Sequence, residues 1–261
     1  MAKWMTGTLL AAMLLAASLL SGGAVGAATA TEQADPLQSP MWGYTRQIFL
    51  GQMPWQFDAR VKVSAPPFAE DPTQVPITVD ASALGGEIDK VIAWADLNPI
   101  QHIFTWFPGD KVKPRVSLRI KVQQATPVRA AVLTRDGVWH VGGVQLEAAG
   151  GGCTAPSTGN ADPYWESHLG EIASRRFGSE QNSRYRFKVI HPMDTGLVNN
   201  IPEFFLEQLE LRDSAGAALV KMQLYPPVSE NPVFTFDLSN STGQHQLWLR
   251  DNSGNEFEQT L

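Results

Sequence analysis

Cysteine is almost absent from this sequence: Cys153 stands alone among 261 residues, so no internal disulfide can form. Basic runs are absent too. The formal net charge is −6, and no stretch concentrates Lys and Arg as a nucleic-acid-binding segment would. After residue 30 no apolar run is long enough to cross a bilayer, which takes roughly 20 residues as a helix. The five histidines (His102, His140, His168, His191 and His245) show neither H-x-x-x-H nor paired Cys/His spacing, so no metal signature is legible. Phosphate loops, dinucleotide fingerprints and Ser/His/Asp motifs are missing as well. These absences exclude a disulfide scaffold and argue against nucleic-acid partners, membrane spans, bound cofactors and an enzyme with its own acid–base or nucleophilic machinery.

What is present begins with an export signal. Lys3 precedes an unbroken apolar run, TLLAAMLLAASLL (8–20), followed by small residues and Ala28-Thr29-Ala30, an A-x-A cleavage site. The run is short for a spanning helix and ends in glycine, so residues 1–30 read as a cleaved signal peptide. Removing them takes away Lys3 and leaves the protein slightly more acidic. The mature protein is expected to be exported from the cytoplasm. Exported proteins usually pair their cysteines, so a lone thiol there is either incidental or reactive.

Residues 31–57 read as an N-terminal extension, polar and loose to residue 38. It then carries a short helix (41–50) behind Ser39-Pro40, with Trp42, Tyr44, Ile48 and Phe49 as its apolar contacts. From residue 58 the period becomes two. Val116, Leu118, Ile120 and Val122 face one way, and Ser117, Arg119 and Lys121 the other. Similar segments fall at 60–64, 76–80, 90–95, 102–107, 128–134 and 138–146, the last two joined by the hairpin dipeptide Asp136-Gly137. Seven short strands over 58–147 imply an immunoglobulin-like sandwich. A second set over 184–261 includes Phe187/Val189, 204–212, 218–225, Phe234/Phe236/Leu238, 246–250 and 256–260. The fold class is therefore all-β, two immunoglobulin-like β-sandwiches joined by residues 148–183.

That connection holds the one chemical oddity. AAGGGCTAPSTGNADP (148–163) has almost nothing to bury, and Asp162-Pro163 is expected to open a helix reaching about Phe177 that buries Trp165, Leu169 and Ile172. Gly150, Gly151 and Gly152 precede Cys153, and Thr154 follows. Glycine removes bulk and restraint, so these residues read as a mobile arm. Extended, it would carry the thiol about 25 Å from its anchors. No His, Lys or Arg lies within ten residues of Cys153 to lower its pKa, which argues against a catalytic cysteine. A chance cysteine in a linker is the plainer alternative. Cys153 paired with His191 or Met193 on a soft metal is another.

Certain strings resemble a known family. VPITVDAS (75–82) and GGGCTAPS (150–157) are similar to the Y subunit of the SoxYZ sulfur-compound carrier. VIHPMDTGL (189–197), IPEFFLEQLEL (201–211) and YPPVSENPVFTFDL (225–238) resemble its Z subunit. The whole looks like the fused SoxYZ-like carriers associated with quinoprotein (PQQ) dehydrogenases. The resemblance implies paired immunoglobulin-like sandwiches and a periplasmic carrier of a sulfur-containing or other electrophilic intermediate, held covalently on Cys153. Partner enzymes would be periplasmic sulfur oxidisers or the quinoprotein dehydrogenase. The alternative function is a non-covalent module docking on that dehydrogenase. An exposed Cys153 would also allow a disulfide-linked homodimer. Two departures stand out: Thr154-Ala155 replaces the family's glycines after the cysteine, and the arm runs on into more chain.

Overall fold

The computed structural model describes Met1 and residues 33–85, 87–157, 164–179, 181–240 and 242–261. The signal segment and Asp162-Pro163 lie outside the described residues. Residues 33–261 form one compact unit. Helix α1 (Trp42–Leu50) leads into β1 (Trp55–Phe57), β2 (Lys62–Ser64), β3 (Phe68–Ala69), β4 (Val75–Asp80), β5 (Ile88–Ala95) and β6 (His102–Pro108). Then come β7 (Val112–Ile120), β8 (Thr126–Thr134) and β9 (Trp139–Ala148). The second half has helix α2 (Tyr164–His168), β10 (Ile172–Gly178), β11 (Asn182–Val189), β12 (Asp194–Thr195) and β13 (Glu203–Phe204). It closes with β14 (Leu206–Arg212), β15 (Ala218–Leu224), β16 (Val233–Ser239), β17 (Gln246–Asp251) and β18 (Glu256–Thr260).

How the halves meet was not legible from the strands themselves. They share both sheets. One has the order β1-β9-β8-β5-β6-β15-β14-β17-β18 with β3 beside β9, and the other runs β10-β11-β16-β7-β4-β2. The seams are antiparallel ladders. Met222 of β15 faces Trp106 of β6, and Phe236 of β16 faces Val116 of β7. A continuous core fills the space between the sheets. At its middle Trp106 and Phe236, neither exposed, lie 6.0 Å apart. Strand pairing across the seam hides four sheet edges that would otherwise invite aggregation.

A second apolar layer covers the far face of the large sheet, where Trp42 and Leu50 of α1 pack on Trp94, Leu133, Trp139 and Val141. With both faces covered, β8 loses the alternation of a half-exposed strand: all but its last residue are buried. Inside this layer Arg129 donates from Nε to Asp96 (2.9 Å) and from its terminal nitrogen to Asp35 (2.6 Å), beneath the Trp42 ring. Asp35 falls in the stretch expected to be loose. It is tied down instead by this pair, and its side chain also accepts the Ser39 N–H at 2.7 Å.

A second correction concerns the linker helix. Only Tyr164–His168 are helical, and Ile172–Gly178 form β10, which pairs along its whole length with β11. Trp165, Leu169 and Ile172 are only half-buried. A free row of backbone donors and acceptors on β11 outweighs the weak helical propensity of this stretch, because ladder bonds are tertiary and propensity is a small prior.

Candidate functional site

The site forms where the chain leaves β7. Residues 121–123 continue past the ladder, and each amide finds a partner outside the sheet: the Lys121 N–H on the Pro227 carbonyl, Val122 on Pro72 and Gln123 on the Asn98 side chain. Their carbonyls face the other way, that of Lys121 also accepting the Asn98 side-chain amide at 2.9 Å. Against them lies the glycine arm, antiparallel. The Gly151 amide donates to the Gln123 carbonyl (2.9 Å), Gly152 to Val122 (3.0 Å), and the Cys153 thiol points at the Lys121 carbonyl (3.7 Å). The Gln123 side chain accepts the Cys153 amide at 3.2 Å and receives Thr154 Oγ1 at 3.4 Å.

Cys153 is therefore not at the tip of an extended arm: it is buried, 1 % exposed. The glycines have a different use from the one expected. A Cβ at Gly152 would stand 2.1 Å from the Pro72 oxygen and 2.6 Å from that of Val122, and one at Gly150 2.8 Å from that of Gln123. Small residues let two backbones touch. The same residue type that loosens a solvated chain lets a docked one come close enough to bond.

The second half closes the seat. Thr195 Oγ1 donates to the Cys153 carbonyl at 2.8 Å, and the buried Lys121 ammonium donates to the Met193 carbonyl. The strings HPMDTGL and GGGC, 38 positions apart at their nearest, thus form one site. Their junction is held rigidly. Met193 sits at φ 53°, a left-handed conformation uncommon for such a side chain. His191 Nδ1 accepts the Met193 amide (3.1 Å), and the Met193 sulfur accepts that of Leu206 (3.3 Å). His191 is buried 3.7 Å from Asp251, itself buried. Both soft-metal candidates are thereby engaged in holding the loop. Among the described residues no group of three or more His, Cys, Asp or Glu side chains is arranged to hold a metal.

Electrostatics keep the seated thiol protonated. Burial pushes Cys153 up to about 11, against a smaller opposing pull from the Lys121 ammonium. Burial also lowers Lys121, with Asp194, Cys153 and Glu230 pulling back, and it lowers His191, which stays neutral near pH 7. In the seat the nucleophilic form is rare and shielded. An intermolecular disulfide through Cys153 likewise requires the arm to leave.

The Thr195 bond is the direct latch between the halves. Thr195→Val keeps the shape and removes this bond, about 1 kcal/mol, along with the longer one that Oγ1 accepts from the Leu197 amide within its own loop, so iodoacetamide modification of Cys153 should quicken roughly fivefold. An unchanged rate would mean that this bond does not hold the arm.

The remaining histidines lie away from the thiol, each with its own role. His102 stacks on Tyr225 across the halves at 3.8 Å, and burial lowers it to about 4. His140 contacts Asp58 (2.8 Å), His245 the Tyr185 hydroxyl (2.9 Å), and His168 stacks on Tyr164. Lys121, Gln123 and Thr195 were missed as site residues. Lys121 follows Ser117 and Arg119 on the polar side of the alternation, so the sequence marks it for the surface, and only the structure shows it buried.

Fold and site together define a double β-sandwich built around one shielded thiol. Residues 46–153 match the family model of the sulfur oxidation protein SoxY, ending on Cys153 itself, and residues 177–261 match that of the sulphur oxidation protein SoxZ. The chain belongs to the sulfur oxidation proteins of the SoxYZ kind, with both domains in one polypeptide. One similar solved structure is that of the sulfur carrier protein SoxY from Chlorobium limicola f thiosulfatophilum. The match is 19 % identical, covers 42 % of this chain and 96 % of that one, and has a TM-score of 0.37. No curated protein matches.

Proposed function

We propose that the protein is an exported, periplasmic carrier that holds a sulfur-containing group covalently on Cys153 and presents it to sulfur-oxidising enzymes. The single observation behind this reading is that the only thiol lies at the last residue of the SoxY match, on an arm held by backbone bonds and a few side chains. Such a grip is reversible. Seated, the sulfur is hidden and protonated. Released, it returns toward the ordinary thiol range near 8.5 and becomes reactive. The signal-like segment 1–30 supports the location.

Intact mass spectrometry of the mature protein, purified from its native host with thiols blocked, tests this directly. An added mass on the Cys153 peptide is expected, with loss of that mass and of sulfur-compound oxidation in Cys153→Ser. A free thiol in every preparation, or wild-type oxidation by the serine variant, would sink the reading.

One observation favours a second reading, a non-covalent module that docks on a quinoprotein (PQQ) dehydrogenase. The thiol is buried and raised, and Thr154-Ala155 stands where a freer arm would have glycine. On that reading Cys153→Ser is silent while co-purification with the dehydrogenase persists.

A further inference from the structure

The outer face of the six-stranded sheet carries charge that the strand sequences do not announce. Outward positions alternate, so β7 contributes Lys113, Arg115 and Arg119, and β11 contributes Arg184, Arg186 and Lys188. Strand β16 runs between them. Its Asp237 pairs with Arg184, its Thr235 lies between Arg186 and Ser117, and its Val233 faces Lys188. Cations therefore flank a central strand on both sides, about 10 Å apart. A groove of about 1100 Å³ follows this face, lined among the described residues by five of those six cations and by two carboxylates, Asp80 and Asp237.

The two carboxylates are already committed. Asp237 takes Arg184 in a two-pronged pair (2.6 and 2.9 Å), and Arg115 lies 3.6 Å from both Asp80 and Asp237. Arg119, Arg186 and Lys188 are exposed, and among the described residues no ion pair engages them. On a chain whose net charge is −6 this is strong segregation of sign. Unpaired cations gathered on one face raise the local potential and steer anionic partners. The three free cations also line a smaller cavity with Asp71, Gln74, Glu230 and Asn231. Its rim loops are those that hold the arm: the Pro72 carbonyl abuts Gly152, and Asn231 Oδ1 accepts the His191 amide.

We infer that this sheet face is a docking surface for an acidic face of a partner protein, placing that partner beside the loops that grip the Cys153 arm. A protein surface fits better than nucleic acid. The groove interleaves carboxylates with guanidiniums, which suits a protein face that mixes some cations among its acids better than a uniformly anionic phosphate backbone. Phe177 is its one exposed aromatic, where single strands need a series of stacking rings. The inference does not depend on what Cys153 carries, and the test leaves that residue untouched.

Fluorescence anisotropy of a labelled poly-L-glutamate peptide against the full mature protein reads the surface directly. Binding is expected at low ionic strength and should weaken steadily toward 0.15 M salt, where screening acts within about 8 Å. The variant carrying Arg119→Glu, Arg186→Glu and Lys188→Glu should bind at least about tenfold more weakly. Neutralising the same three with Gln should give an intermediate loss, and this milder variant stands in should the reversal fail to fold. Equal binding by the Gln variant and wild type overturns the inference. So does displacement of the peptide by inorganic sulfate at equal charge concentration, which would mark a small-anion site. Tighter binding of a single-stranded oligonucleotide than of the peptide would overturn it in favour of nucleic acid.

Discussion

In Gly152→Ala, Cys153 should react with iodoacetamide on the order of a hundredfold faster at pH 7.5 than in the wild type. The reason is geometric first. The new methyl would sit 2.1 Å from the Pro72 oxygen and 2.6 Å from that of Val122, both backbone atoms in loops that other bonds fix. The arm has to lift, losing the Gly152 and Gly151 amide bonds and the Thr195 contact. With it goes the burial that holds the thiol near 11. An unshielded thiol near 8.5 is ionised about 300 times more often at neutral pH.

The pH dependence has a definite sign. Seating raises the thiol above its free value, so the docked arm retains more protons than the released one. Its stability is whole below about pH 8.5 and is lost as pH rises toward 11. The wild-type rate should therefore climb over that window, while the Gly152→Ala rate levels off near the ordinary thiol value. Gln123→Ala, which removes the acceptor of the Cys153 amide, should move the profile the same way but several-fold only. A Gly152→Ala protein that alkylates at the wild-type rate and pH would show that the seat is not what controls the thiol.

The largest loss of stability is expected from Arg129→Met. Arg129 is 1 % exposed, and it bonds Asp96, which is fully buried, and Asp35, while the Trp42 ring lies 4.7 Å away. Removing the cation leaves the Asp96 charge in the interior with only the Trp94 indole N–H at 2.7 Å to answer it. Breaking one side of such a pair costs about 3–5 kcal/mol. In a domain of this size that lowers Tm by about 10 °C. Because Asp35 and Trp42 lose their anchor too, the near-ultraviolet signal of the tryptophan layer should fall before the main transition. Adding Asp96→Asn removes the stranded charge and should recover part of the loss, since the two sites are coupled. Full stability in the single variant would mean that water or a neighbour rescues Asp96.

The cationic face shows why some features are invisible along the chain. No stretch of sequence is basic, because on strands only every second residue shares a face. Arg115 and Arg119 alternate with Val116, Leu118 and Ile120, and Arg184 and Arg186 with Tyr185 and Phe187. Each strand reads as ordinary amphipathic alternation. Only the placement of β16 between β7 and β11 turns two modest rows into one charged surface. The same holds for Arg129, whose sequence neighbours are apolar and whose partners lie 33 and 94 positions away.

Sequence by itself determined the strands, because a two-residue period with apolar faces is a local signal. The ladders fall almost where the alternation places them, from Val75–Asp80 through Glu256–Thr260. It also singled out Cys153, the arm glycines and the HPMDTGL string. The tertiary structure decided what those residues do together. Burial, a thiol's ionisation and the choice between a free and a docked arm depend on which carbonyls and loops stand within a few ångströms, and that is set by contacts between residues far apart in the chain. A glycine run carries no mark of whether it will swing in solvent or press against another backbone. Here the carbonyls of residues 121–123 and the Thr195 hydroxyl are what seat it.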